Sequence, residues 1–260
     1  MVFNTYHWRD CPLDDPELER ARAVLASETP DEDAFLLLLR SGRTAAVGMA
    51  LDHFHHADAV SRHGGGNPFA HHVAEVLDRA REILSAPPAP SSETGAEKDG
   101  ADHASALLAM LNHARPEDSG LIASALRQAT TPDALEAATM AAATALDRST
   151  VLDEELISAL RDIISGESVG IWERVEALKA FNNVKSPRAA DIAAQALESD
   201  DHDLQVHAAI ILATHHLSTH RAVVEQVVES WPENVPYPAA AVLDALHADR
   251  PDHTRWSGNE

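Results

Sequence analysis

Cysteine is almost absent from this chain: Cys11 is the only one among 260 residues, so no disulfide can form within the protein. A chain without structural disulfides is typical of a reducing compartment, and we expect a cytoplasmic protein. The segment MVFNTYHWRD lacks the basic and apolar stretches of a secretion signal. No apolar run approaches the roughly 18 residues that span a bilayer, so we expect no membrane association.

Basic residues are also scarce. The chain has 20 lysines and arginines against 42 acidic residues, which gives a formal net charge of -22. Such a charge repels nucleic-acid phosphates and anionic lipids, so we expect neither nucleic acid nor a membrane as a partner. It favours a basic protein or peptide, although an acidic surface of this kind also serves solubility alone.

A repeated pattern dominates the part of the chain between Leu121 and Leu246. Each copy contains an apolar helical stretch, a short polar turn and an alanine-rich helical stretch, and no long segment shows the two-residue alternation of a strand. Anchor pairs such as Leu126-Arg127 and Leu160-Arg161 recur at spacings of 34, 37 and 31 residues. A period in this range predicts an all-α protein built as an α-α superhelix, or helical solenoid. The aligned segments are Leu121–Leu146, Leu156–Phe181, Ile192–Thr214 and Val223–Leu246.

The repeat resembles a known family. Arg174–Phe181 (RVEALKAF) and Gln205–Leu212 (QVHAAIIL) resemble the second helix of HEAT-like repeats, in which small alanines let neighbouring helices approach closely. Ser186–Ser199 resembles the first helix of such a repeat. The chain departs from the family pattern where Gln205 and His207 replace the usual basic residues. The resemblance covers about half of the chain, and it implies an interaction scaffold rather than any one activity.

Composition changes sharply between Ala86 and Gly100, where proline, serine, glycine and charged residues leave little apolar surface to bury. We predict a flexible loop or linker at residues 86–100. It would separate N-terminal helical repeats with a capping tail, residues 1–85, from the HEAT-like repeats at residues 101–248. Residues 249–260 are predicted as a polar C-terminal tail. Residues 1–13 carry Phe3, Tyr6 and Trp8 without helical spacing, and we expect this tail to dock over an open end of the array, because terminal repeats need caps.

Histidines are concentrated in one part of the N-terminal region: six of the 16 fall between residues 53 and 72. On a helix His53 and His56 share a face, because they lie three residues apart. If the helices on either side of Gly64–Gly66 form an antiparallel hairpin, residues equidistant from the turn meet, which places His56 near Glu75.

Two imidazoles with one or two carboxylates are a donor set for zinc or iron. The metal candidates are therefore His53, His56, His71, His72 and Glu75. The segment has no H-E-x-x-H spacing, and it lacks the His-Glu pairs of the HEAT-like hydroxylases that bind two irons. The alternative is a set of solvated surface histidines, with no cofactor at all.

A second motif imitates a catalytic site. Gly166–Gly170 reads G-E-S-V-G, the pattern of a nucleophile elbow, and His63–Gly66 imitates an oxyanion-hole motif. That elbow requires a strand before the serine and a helix after it. Because Ser168 lies between two helical segments, we predict a helix-to-helix turn with Ser168 as N-cap, and we assign no catalytic residue.

Aromatic residues recur near the predicted turns. Trp172, Trp231 and Tyr237 would either fill the ridges between repeats or line an aromatic edge for a ligand. Packing between repeats is the favoured interpretation, and a ligand edge stays open as the alternative.

Our leading functional hypothesis is a non-enzymatic scaffold or adaptor whose acidic repeat surface binds a protein or a basic peptide. One alternative is a metal-dependent enzyme or sensor built on the His53–Glu75 histidine cluster. Two others are an acidic mimic of nucleic acid and a HEAT-like alkylpurine DNA glycosylase. The glycosylase would need a basic concave surface. The residues that would form it are Arg127, Arg161, Arg174 and Arg188.

Overall fold

In the computed structural model, the residues described are 7–8, 10–27, 31–62, 66–231 and 238–248. Across these ranges the chain forms fourteen α-helices and two short 3-10 turns, with no β-strand, which confirms the all-α prediction. The helices are α1 (Pro16–Leu25), α2 (Glu32–Leu39), α3 (Thr44–Ser61), α4 (Val73–Leu84), α5 (Ser91–Thr94), α6 (Ala101–Met110), α7 (Ser119–Gln128), α8 (Pro132–Asp147), α9 (Glu154–Ser165), α10 (Ile171–Lys179), α11 (Pro187–Ala196), α12 (His202–His215), α13 (Leu217–Val228) and α14 (Ala239–Ala248). The 3-10 turns are Ala70–His72 and Pro116–Asp118. The predicted C-terminal tail, residues 249–260, lies outside the described residues.

The chain divides into two compact units, Met1–Leu160 and Arg161–Glu260, here called the first and second units. The boundary falls within α9. The linker predicted at residues 86–100 therefore lies inside the first unit, rather than between two domains.

Hydrogen bonds to α6 give the 86–100 segment a defined course. The Ala89 backbone N–H donates to the Asp102 carboxylate at 3.1–3.2 Å, and the Nε2 of His103 lies 3.0 Å from the Ala86 carbonyl. Gly95 and Gly100 have φ of 75° and 71°, which lie in the left-handed region that favours glycine over residues with a Cβ. The composition of this segment indicates that it does not form a long helix. It does not reveal the residues that anchor the segment, because Asp102 and His103 lie on α6.

The core of the first unit is organised around α6, all of whose residues are buried. It packs against α3, α4 and α8. Its sequence, ADHASALLAM, is small and apolar on most sides, as expected for a helix surrounded by others. The buried Ser105 accepts the indole N–H of Trp8 at 2.8 Å. Trp8 therefore docks on α6. Phe3 and Tyr6 lie outside the described residues, and the capping of an array end stays a prediction.

The aligned repeat segments coincide with helix pairs: α7 with α8, α9 with α10, α11 with α12, and α13 with α14. Thr131 and Ser186 are N-caps of α8 and α11, each followed by proline in the first turn, as their sequences indicate. In the second unit, α12 packs against α10, α11, α13 and α14. Second helices of successive pairs thus meet within this unit, while the superhelical solenoid as a whole stays a prediction.

A partly buried ion pair joins α4 to the turn before α7. Asp118 is only 1% exposed, and its carboxylate accepts the Arg81 Nε–H and the Arg115 backbone N–H, both at 2.8 Å. The neighbouring carboxylate, Asp78, contacts the same guanidinium at 3.1 Å from an exposed position. The two carboxylates therefore differ in burial while sharing one partner.

We expect Asp118→Ala to lower the free energy of unfolding by about 2–3 kcal/mol. The change leaves the Arg81 guanidinium and a backbone N–H without their buried acceptor, and the loss stays moderate because the Arg81 side chain is 27% exposed. Asp78→Ala is the matched control and should cost under about 1 kcal/mol, since its carboxylate is solvated. Urea unfolding monitored by circular dichroism measures both, and equal losses would contradict the prediction.

Candidate functional site

Of the five predicted metal ligands, the structure brings two together. His71 and His72 lie on the 3-10 turn before α4, and their Nε2 atoms are 2.9 and 2.7 Å from one oxygen of Glu32. The ligand atoms of these three residues all lie within 4.8 Å of one another. Among the described residues this is the one group of three potential metal ligands so arranged, and we call it the Glu32 cluster.

Glu75 has a different partner. Its two carboxylate oxygens accept hydrogen bonds from Arg40 Nε and Nη2, at 2.6 and 2.9 Å. This ion pair lowers the pKa of Glu75, because the guanidinium stabilises the charged carboxylate. The expected meeting of His56 with Glu75 is not part of this arrangement: Arg40, at the end of α2, occupies that carboxylate instead.

His53 and His56 lie on α3, outside the Glu32 cluster. Burial lowers the pKa of His53, and the neighbouring His56 lowers it further. His56 itself is exposed. Further along α3, Asp58 accepts hydrogen bonds from the Asn112 and Asn67 amides at 2.6 and 3.4 Å. The Asp58 carboxylate therefore links α3 to the segments that carry Asn67 and Asn112, and among the described residues no α3 side chain joins the Glu32 cluster.

Aromatic packing positions the Glu32 cluster. Phe35 of α2 stacks on Phe69 with ring centroids 4.1 Å apart, and both rings are buried. Glu32 lies one turn before Phe35 on the same helix, while His72 follows Phe69 and has its ring 6.2 Å from Phe35. The stack therefore holds the first turn of α2 against the 3-10 turn.

Hydrogen bonds from His71 and His72 lower the pKa of Glu32. Its side chain and that of His71 are about half exposed, at 51% and 58%, whereas His72 is 15% exposed. The sequence does not reveal Glu32 as a member of this group, because it lies 39 residues before His71 and no local spacing connects them. The one local feature of Glu32 is its position in the first turn of a helix, and glutamate is common at such positions without binding a metal.

A second group of polar and aromatic side chains lies in the second unit, where α10 and α12 pack together. Trp172 is 51% exposed, and the Lys179 ammonium lies 5.9 Å from its ring centroid. Lys179 is also 2.7 Å from a Glu176 carboxylate oxygen. Burial and Lys179 lower the pKa of His207 on α12, while Glu176 and Asp203 oppose the shift. These five residues are called the α10–α12 face.

The aromatic residues predicted near the turns differ in their environments. Trp172 is exposed, whereas Trp231 is 9% exposed and meets the His202 ring edge-on at 5.8 Å. Tyr237 lies outside the described residues. Packing therefore accounts for Trp231, but it leaves the Trp172 ring available to a ligand.

An open cavity of about 310 Å³ lies between helices α9 to α12 in the second unit. Arg161 and Arg174 line it, as do Glu167 and Glu198, so the two cations are balanced by two carboxylates. Arg127, in the first unit, donates to the Glu155 carbonyl at 3.2 Å. Arg161 and Arg174, two of the arginines considered for nucleic-acid binding, therefore lie among acidic side chains rather than in a purely basic patch.

The G-E-S-V-G motif forms the turn between α9 and α10. Ser168 is exposed there, and the N-cap of α10 is Gly170, without a side-chain capping bond. The predicted helix-to-helix turn is confirmed, while the predicted capping role of Ser168 is wrong. His63, Gly64 and Gly65 of the second half-motif lie outside the described residues.

Comparisons with known proteins assign no family. No protein-family model matches the chain, and no curated protein matches it. The HEAT-like resemblance stays a prediction. Within the described ranges, none of the helices combines the length and the apolar character that crossing a membrane demands.

Proposed function

We propose that this protein is a non-enzymatic interaction module that binds a basic segment of a partner protein on the α10–α12 face. The observation that carries the proposal is Trp172, whose large ring is half exposed beneath the Lys179 ammonium. Exposed tryptophan is uncommon on surfaces without a binding role, because its apolar area favours burial.

The ring already accepts a cation from its own chain. Lys179 occupies the position that a lysine or arginine of a partner would take, and Glu176 holds that lysine in place. A partner cation would displace Lys179 and gain the same two interactions: the ring face and a carboxylate. Asp203 adds a second acidic group nearby on α12.

Long-range charge supports the same partner class. The formal net charge of -22 attracts basic segments and speeds their encounter with the protein. Within the second unit α12 packs against α10 and α14, and helical repeats bind extended peptides along surfaces built from such neighbouring helices. Charge alone would attract basic segments without selecting a place for them to bind. The Trp172 ring would define that place.

We expect Trp172→Ala to weaken binding of a basic peptide about tenfold, because the variant loses one partly desolvated cation–π contact. The probe is a fluorescein-labelled lysine- and arginine-rich peptide, and fluorescence anisotropy measures its affinity. Val24→Ala, at an exposed apolar position in the first unit, is the matched control and should leave affinity unchanged. Circular dichroism verifies that both variants remain folded.

Salt and charge reversal complete the test. Binding should weaken as ionic strength rises from low to physiological values, and Glu176→Gln should reduce that salt dependence. A labelled acidic peptide of equal length should not bind. The proposal fails if Trp172→Ala and Val24→Ala bind the basic peptide equally, or if the acidic peptide binds as well as the basic one.

A further inference from the structure

We propose that Glu32, His71 and His72 form a binding site for a divalent transition metal ion, with zinc as the natural occupant. The site lies in the first unit and is independent of the α10–α12 face. Its ligand set differs from the one expected from histidine spacing, since Glu32 replaces His53, His56 and Glu75.

Convergence of the side chains is the first argument. Adjacent residues on a 3-10 turn point about 120° apart, so neighbouring histidines do not face one target by backbone geometry alone. Here the Nε2 atoms of His71 and His72 nevertheless approach the same oxygen, Glu32 Oε1, at 2.9 and 2.7 Å. The two ring centroids are 4.1 Å apart. Three ligand atoms therefore surround one small volume.

The distances suit an inserted ion. Tetrahedral zinc with bonds of about 2.0–2.1 Å separates its ligand atoms by about 3.3 Å. Each imidazole nitrogen would need to move only about 0.5 Å away from the carboxylate oxygen to reach that separation. Glu32 and His71, both about half exposed, have room for this change. His72, which is 15% exposed beside Phe35, provides the fixed side of the site.

The donor types favour zinc over harder or softer ions. Two imidazoles and one carboxylate match the three-ligand zinc sites that keep an open fourth position, occupied by water. Magnesium and calcium prefer oxygen ligands throughout. Thiolate is not part of the group, because the Cys11 thiol is buried elsewhere and donates to the Gly95 carbonyl. The adjacent Arg40–Glu75 ion pair is internally neutralised, so it does not repel a cation.

A bound ion would join two elements of the first unit. Glu32 begins α2, and His71 and His72 end the 3-10 turn that leads into α4. The ion would then bridge these elements above the Phe35–Phe69 stack and stabilise the folded state by mass action. Near saturation, zinc should raise the Tm by roughly 5 °C.

The experiment uses the full chain without a histidine tag. Isothermal titration with zinc chloride at neutral pH should show one site, and the Tm should rise with added zinc. Glu32→Gln and His71→Asn should each weaken zinc binding at least about tenfold, because each removes a direct ligand. The matched control is His56→Asn, an exposed histidine on α3, which should bind zinc as the wild type does.

Two results would overturn the proposal. One is the absence of a stoichiometric zinc site in the wild-type protein. The other is equal weakening by His56→Asn and His71→Asn, which would indicate diffuse binding by the 16 histidines. Circular dichroism without metal verifies folding, and cobalt substitution gives a second readout, since a tetrahedral site with nitrogen and oxygen ligands produces visible absorption bands that Glu32→Gln should alter.

Discussion

Asp52→Asn is expected to raise the free energy of unfolding at pH 7 by about 2–4 kcal/mol. Asp52 lies on α3 and is 5% exposed, and within the described part of the chain neither of its carboxylate oxygens has a geometrically well-formed hydrogen bond. Burial raises the pKa of this carboxyl to about 8, while the nearby Ser105 hydroxyl opposes the shift. The folded protein therefore keeps a proton that the unfolded chain releases near pH 3.8.

The sign of the pH dependence follows from proton binding. Between the unfolded and folded pKa values the folded state binds more protons, so its stability falls as pH rises through that window. Asparagine stays neutral and abolishes this contribution. The difference in stability between Asp52→Asn and the wild type should therefore grow from pH 5 to pH 8, as urea unfolding at several pH values would show.

Asp58→Asn is the matched control, because it makes the same change on the same helix. The Asp58 carboxylate accepts hydrogen bonds from Asn112 and Asn67, and an amide can keep only one oxygen acceptor. We expect this variant to lose about 1–2 kcal/mol. If Asp52→Asn were destabilising across the same pH range, the cost of burying a charged carboxylate would not dominate the contribution of Asp52 to stability.

Trp8→Ala should lower the free energy of unfolding by about 3–5 kcal/mol, the usual cost of truncating a buried tryptophan. The Trp8 side chain is 1% exposed, and its indole N–H donates to Ser105 of α6 at 2.8 Å. The ring also lies directly on α3, where a Cβ placed on Gly48 would overlap it. One side chain thus holds the N-terminal segment on two central helices.

A double-mutant cycle tests this contact. Gly48→Ala should destabilise the wild type by about 1–3 kcal/mol, because the new methyl group collides with the indole. In the Trp8→Ala background the same change should be neutral or stabilising by up to about 1 kcal/mol, since alanine is the better helix former. Equal effects of Gly48→Ala in both backgrounds would show that Trp8 is not packed on α3.

Helix positions in this chain could be predicted because their causes are local. Asp15 and Pro16 mark the start of α1, and Ser186 and Pro187 mark that of α11, as N-cap and first-turn residues. Apolar spacing and alanine content similarly predict the helix pairs of the repeat segments. These features depend on residues within about four positions along the chain, so they can be read from the sequence alone.

The candidate metal site could be predicted only in part. Histidine density indicates the right segment and identifies His71 and His72. Pairing across the glycine turn does not predict Arg40 as the partner of Glu75, because it ignores α2. Arg40 contacts Glu75 and Glu32 contacts His71, and in both contacts the partners lie more than thirty residues apart in the chain.

By itself, the sequence determined an acidic, all-α protein with helix pairs in its repeat segments, because helix formation depends on short-range propensity, capping and periodicity. Only the tertiary structure decided which polar groups meet. It exposed Trp172 beside Lys179, buried the Asp52 carboxyl on α3, and brought Glu32 to His71 and His72. Such contacts arise when whole helices pack, and packing depends on the combined surfaces of several elements rather than on any local pattern.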